Sequence, residues 1–266
     1  MNILKLNPTK IFLLVTLICT IFFSGCSLFQ KRYEKTEKKE FTVNTIGKKK
    51  VVFNNTNGDI KVTKSSVDSV LIIKAEATFH VTKKEMKEEK ERIKIDIDTL
   101  GDVIKITSNY VKEKRVFNFQ ISFDEHTNYE LIVPEGIEVS VDNINGKFDI
   151  TDINNNVNVS STNGNIKLSQ TTGKISIDVT NGKVKGDLDS TKGLDISTTN
   201  GNVNLNLNNT FSGKFRLETI NGKISKRDFD FKDVDNDKKL FKGTLGNSDV
   251  EIKIKTTNGK ITLTKK

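Results

Sequence analysis

The chain has 266 residues, 43 basic and 34 acidic, for a formal net charge of +9, and holds two cysteines, two histidines and no tryptophan. The cysteines are Cys19 and Cys26, close together near the N-terminus, and the histidines are His80 and His126. This inventory excludes a disulfide framework and offers no Cys/His spacing suited to zinc.

The N-terminus carries processing signals. Lys5 and Lys10 precede an apolar run from Ile11 to Phe23, 13 residues long. That is shorter than the roughly 20 residues a bilayer span needs, so it is expected to be a signal-peptide core. The Phe23-Ser24-Gly25-Cys26 step that follows resembles the lipobox of bacterial lipoproteins, with an aromatic where an aliphatic is usual. It implies cleavage after residue 25, lipidation of Cys26 and a membrane-anchored protein facing the cell exterior or periplasm. Loss of Lys5 and Lys10 leaves 41 basic against 34 acidic residues, a mature charge of +7. Behind an export signal this modest excess points to anionic envelope polymers or lipid head groups, and not to nucleic acid. Residues 26–41 are charged and read as a flexible tether.

From residue 42 to 140 the pattern is an irregular β region. Val51–Val62, Ile93-Ile95-Ile97, Ile104-Ile106, Phe117-Phe119-Ile121 and Leu131-Val133 alternate as strands do, while the charged run Thr82–Arg92 predicts one short surface helix, with Glu88 four residues before Arg92. Pro134-Glu135-Gly136 predicts a turn.

Residues 141–266 are repetitive. Seven Asn-Gly pairs occur, at Asn57, Asn145, Asn163, Asn181, Asn200, Asn221 and Asn258, and the glycines from Gly146 to Gly222 are spaced by 18, 18, 19 and 21 residues. Within this spacing Phe148, Val157, Ile166, Ile175 and Val184 fall at steps of nine. The expected fold is all-β, a β-solenoid or β-helix whose coils of about 18 residues each hold two strands, interrupted by a solvated insertion at 226–247 before the last coil. An antiparallel meander would use the same Asn-Gly pairs as hairpin turns. The fixed nine-residue step favours stacked coils, with like residues about 4.8 Å apart.

The recurring Thr-Asn-Gly-x-(Ile/Val), the Val133-Pro134-Glu135-Gly136 step and the closing Thr257-Asn258-Gly259-Lys260-Ile261 resemble the bacterial putative-adhesin family, whose members are β-solenoid or β-helix domains, frequently on lipoproteins. The resemblance runs from about residue 42 to the end. It implies an adhesin-like or scaffold role and supplies no catalytic residues.

On the outward positions after each Asn-Gly, Asp149 is the only acid expected, so the carboxylate pair of a glycosidase is not foreseen there. Asp233, Asp235 and Asp237 are spaced like calcium-loop ligands, but Lys238 occupies the glycine position and Thr244 replaces the closing glutamate. His80 and His126 read as surface or packing residues. No metal or other cofactor is expected. What remains is a row of lysines, Lys147, Lys167, Lys183, Lys185, Lys223 and Lys260, on one face. The leading expectation is a non-catalytic binding module whose partners are the membrane, through its lipid, and an anionic cell-wall or surface polymer or another envelope protein. The alternative is a polysaccharide-active β-helix enzyme, a lyase or hydrolase.

Overall fold

The structure, a computed structural model, describes residues 33–87, 93–110 and 126–266. The apolar run, the lipobox with Cys26 and the expected strand Phe117-Phe119-Ile121 lie outside these residues. Two compact units are present. In the smaller, residues 33–35 and 79–87, His80 lies 3.7 Å from Glu34 and a single helical turn, α1 (Lys83–Met86), follows the strand end. The short helix expected over 82–92 is not seen; a turn with one strong apolar residue, Met86, has little to offset the cost of nucleation, and 88–92 are not described. The larger unit holds everything else, and no helix among the described residues is long and apolar enough to cross a membrane.

The larger unit is built of two parallel-rich sheets. Strands β8 (Glu138–Asn145), β10 (Val157–Asn163), β12 (Lys174–Asn181) and β14 (Gly193–Asn200) lie side by side in one sheet. Strands β9 (Phe148–Thr151), β11 (Ile166–Ser169), β13 (Val184–Leu188) and β15 (Val203–Leu207) lie side by side in the other. The chain therefore crosses from sheet to sheet at each Asn-Gly, and each strand pairs in parallel with the next but one, Val157 with Ile175 and Ile166 with Val184. That register rules out the meander. Each sheet turns its apolar column inward: Val139, Val157, Ile175, Leu194 and Ile252 from one side and Ile60, Phe148, Ile166, Val184, Val203 and Ile261 from the other are all buried in one core.

Both ends of the stack depart from chain order. The two-strand rung β2 (Lys50–Asn57) and β3 (Ile60–Lys64) pairs directly with β8 and β9, while the later rung β6 (Val103–Tyr110) and β7 (His126–Val133) is added outside it. At the far end β20 (Glu251–Asn258) and β21 (Ile261–Lys265), last in sequence, fill the space between β14–β15 and the rung β16 (Gly213–Thr219) with β17 (Ile224–Arg227). Antiparallel strands border the stack. These are β4 (Val70–Val81) on β7, β5 (Ile93–Asp98) on β6, and β19 (Leu240–Leu245) with β18 (Lys232–Asn236) on β16, while β1 (Tyr33–Asn44) lies next to β4 at the sheet edge.

Two expectations are corrected by these borders. The tether was drawn to residue 41, yet strand β1 begins at Tyr33. Its charges alternate so that Glu37 and Lys39 are half-buried on one side while Lys38 and Glu40 face solvent, a pattern suited to an edge strand whose charged stems cover apolar surface. The stretch 226–247 is likewise more than a solvated insertion. Phe241 is fully buried, and Phe211, Phe215, Phe229, Phe231 and Phe241 form a chain of ring contacts 4.9–6.0 Å apart over the end of the core. A repeat array needs such a lid, because its last rung has no neighbour to bury its open side.

The Asn-Gly corner is explained by contact rather than by turn type. A Cβ on Gly164 would lie 2.2 Å from the Gly146 carbonyl oxygen, one on Gly182 1.8 Å from that of Gly164, and one on Gly201 1.7 Å from that of Gly182. Glycine is required because the backbones of successive rungs touch. The preceding asparagines form an exposed amide ladder of side-chain bonds. Asn145 donates to Asn57, Asn163 to Asn145, Asn181 to Asn163, Asn200 to Asn181, Asn258 to Asn200 and Asn221 to Asn258, all at 2.7–2.9 Å.

Candidate binding face

The six lysines singled out from the sequence share the outward side of the sheet that contains β9, in two columns. Lys167 of β11 pairs in register with Lys185 of β13, so these two stand on adjacent strands. Lys147, Lys183 and Lys260 occupy the corner column just before the strands, with Lys223, whose carbonyl accepts the Ile261 N–H at 3.0 Å, beside Lys260. The corner column alternates. The Lys147 N–H donates to Asp59 Oδ1 at 2.9 Å, that of Lys183 to Asn165 Oδ1 at 2.9 Å and that of Lys260 to Asn202 Oδ1 at 2.8 Å. An Asp or Asn in one rung thus caps the backbone of the lysine in the next, fixing the main chain and leaving the ammonium free to project. Lys147, Lys183 and Lys260 fall two rungs apart, about 9–10 Å at ordinary strand spacing.

From β11 onward these two columns read Asn165 and Lys167, Lys183 and Lys185, Asn202 and Asn204, Lys260 and Thr262, Lys223 and Ser225, with no acid among them. Lys167 reaches Asp149 only at 4.0 Å. Lys183, Lys185, Lys223 and Lys260 have no ion-pair partner among the described residues. Acidic groups enter in the third outward column, where Asp187 is engaged by Lys266 at 3.8 Å.

Toward the other end the same face changes character, and this part was missed from sequence. Lys74, Glu130, Lys61, Asp149 and Lys167 stand opposite one another across five neighbouring strands, β4, β7, β3, β9 and β11, a row of alternating charge. Glu130 accepts from Lys61 at 2.9 Å and lies 3.7 Å from Lys74. The Lys61 hydrogen bond, reinforced by the charges of Lys61 and Lys74 against partial burial, holds Glu130 below its ordinary carboxylate value, and the same bond raises Lys61. A cavity of about 710 Å³ opens here, bounded by Lys38, Glu40, Asp59, Glu76, Lys147 and the first four residues of this row, Lys74 to Asp149. Three of its carboxylates face lysines: Glu76 meets Lys38 at 3.0 Å, Glu130 meets Lys61 at 2.9 Å and Asp149 meets Lys167 at 4.0 Å. A general acid for glycosidic cleavage needs a raised carboxyl pKa, and Glu130 is shifted the other way. Nothing in the sequence spacing announced the row, because it exists only where β7, β3 and β9 become neighbours out of chain order.

The remaining candidates are placed apart from this face. In β18 Asp233 sits in a bulge with a φ of +52°, and Asp235 on the same strand is bound by Lys242 at 3.1 Å instead of being left for an ion. No group of three or more metal-ligating side chains occurs among the described residues. His126 lies 3.9 Å from Asp59 with nearly half its side chain exposed.

Residues 137–264 match the model of the Toastrack DUF4097 family, a stretch that runs from the start of β8 into β21. No curated protein matches the chain. Among solved structures, a "putative cell adhesion protein" from Clostridium sporogenes is 16% identical over 87% of this chain and 100% of its own, with a TM-score of 0.48. A "putative adhesin" from Bacteroides fragilis is 12% identical over 86% and 97%, with a TM-score of 0.36. One from Parabacteroides distasonis is 9% identical over 87% and 97%, with a TM-score of 0.29.

Proposed function

We propose that this protein is an envelope-anchored lipoprotein, tethered through Cys26, whose two-sheet β-solenoid presents a non-catalytic binding face for an anionic polymer of the cell wall or surface. The reading rests on one observation. Lys167, Lys183, Lys185, Lys223 and Lys260 share one outward face whose two columns carry no acid from β11 onward. Capping of the lysine backbones by Asn165 and Asn202 makes the spacing rigid, and a rigid array loses little entropy when it meets a repeating polyanion. Because each contact is weak on its own, affinity would grow by multivalency along the polymer.

The test is retention of the full-length protein on isolated cell wall at low and high salt. Reversing Lys167, Lys183 and Lys185 to glutamate is expected to abolish the salt-sensitive part of retention. The backbone bonds of these residues do not use their side chains, so the fold should persist, as circular dichroism would report. A triple glutamine variant, which avoids setting Glu beside Asp149, should lose retention in the same direction. Undiminished retention by both variants would overturn the proposal. Cleavage at Cys26 is tested separately, by mass spectrometry of the N-terminal peptide for an acylated cysteine.

A further inference from the structure

The seven Asn-Gly pairs are seven copies of one reactive dipeptide. The unhindered glycine nitrogen can attack the asparagine Cγ. A new N–Cγ bond forms, the Cγ–Nδ2 bond breaks and ammonia departs, taking up the glycine proton. Water then opens the cyclic imide to aspartate or isoaspartate, so the reaction needs nothing but water. Glycine is central because it has no side chain to shield its nitrogen.

The fold treats the copies differently. Gly58, Gly146, Gly164 and Gly182 each donate their N–H to the asparagine carbonyl of the next rung, at 2.9, 3.0, 3.0 and 3.1 Å, which occupies the nucleophile. Asn145, Asn163, Asn181, Asn200 and Asn258 have side chains bonded on both sides within the ladder, which restrains both Cγ and the leaving amide. Six of the seven asparagines are also the last residue of a strand. Gly201, Gly222 and Gly259 have no such acceptor among the described residues, but Asn200 and Asn258 keep both side-chain bonds. Asn221 differs from all of them in its backbone position and its side chain. β16 stops before it at Thr219, and it sits with Gly222 in a bend, whereas exposure is common to it and to Asn145, Asn163, Asn181, Asn200 and Asn258. Its side chain keeps one bond, Nδ2 to Asn258 Oδ1 at 2.9 Å. Among the described residues nothing donates to its Oδ1 and nothing accepts the Gly222 N–H.

We propose that Asn221 is a site of spontaneous deamidation, and that the amide ladder protects the pairs inside the stack. The product would remove the donor that reaches Asn258, place a negative charge next to Lys223 and, as isoaspartate, lengthen the main chain between β16 and β17. This inference does not depend on the binding proposal.

The experiment ages the full chain at mildly alkaline pH, in native buffer and in concentrated urea, and follows each Asn-Gly peptide by mass spectrometry. In native buffer Asn221 should deamidate at least about tenfold faster than Asn145, Asn163 or Asn181, the factor set by the two or more hydrogen bonds those residues must break in addition. In urea the rates should converge. Equal native rates, a different pair reacting first, or the same excess at Asn221 in urea would each overturn the proposal, the last by placing the cause in the local sequence.

Discussion

Replacing Gly182 by alanine tests the contact that orders the stack. The new Cβ would lie 1.8 Å from the Gly164 carbonyl oxygen and 2.7 Å from its carbon, where ordinary contact begins at 3.4 Å. The obstacle is backbone, so it cannot rotate away, and the corner must open by about 1.6 Å, the difference between 3.4 and 1.8. Two bonds span this gap, Gly164 N–H to Asn181 O at 3.0 Å and Asn181 Nδ2 to Asn163 Oδ1 at 2.9 Å. Stretching both beyond bonding range, with loss of packing on either side, should cost roughly 2–4 kcal/mol. Urea denaturation should show this as a lowered midpoint at unchanged slope. Gly47→Ala is the control. Gly47 has a positive φ, +76°, which Gly182 does not, and nothing lies within 4 Å of its Cβ position, so only the conformational cost of about 1 kcal/mol applies there. If Gly182→Ala is no more destabilising than Gly47→Ala, the close-approach explanation of the Asn-Gly repeat is wrong.

Other consequences are open to measurement. Asn181→Ala removes two ladder bonds and should cost about 1–2 kcal/mol in urea denaturation, whereas Asn221→Ala, which removes one, should cost less than about 1 kcal/mol. Deleting residues 248–266 takes out β20 and β21, an interior rung, so the shortened chain should lose its cooperative transition and its hydrogen-exchange protection around β16; a melt like that of the full chain would contradict the strand order. Acidification should weaken the charge row. Glu130 titrates below its ordinary 4.5 in the folded protein, so its contribution is complete above that value and is lost as the pH falls through the lower folded one. Glu130→Gln should flatten that part of the stability profile, by less than about 1 kcal/mol because both partners remain partly exposed.

Much of this architecture was legible because the repeat is local. Inward positions such as Phe148, Ile166 and Val184 are named by their period, and the lysines share a face because the alternation of a strand decides it. Long-range order was not legible. Asn258 bonds to Asn200 across 58 residues and Asn145 to Asn57 across 88, and no periodicity distinguishes a rung that follows its predecessor from one threaded back between two others. The charge row around Glu130 was hidden for the same reason. Strand β1 was missed because its half-buried side, which ends in Phe41 and Val43, is interrupted by Glu37 and Lys39, and these read as solvated in a hydropathy pattern. The aromatic lid was missed because the aspartates around Phe229 and Phe231 masked them.

The most direct test of the binding account compares the two sheets in one assay. Salt-dependent retention on cell wall is measured for the unmodified protein, for a variant with Lys183, Lys185 and Lys260 reversed, and for one with Arg216, Lys253 and Lys255 reversed on the other sheet, where Glu218 and Glu251 already neutralise them. Retention should vanish in the first variant and survive in the second. Equal loss from both would mean that bulk charge alone governs the interaction, and loss from neither would mean that the lysine face binds no polyanion.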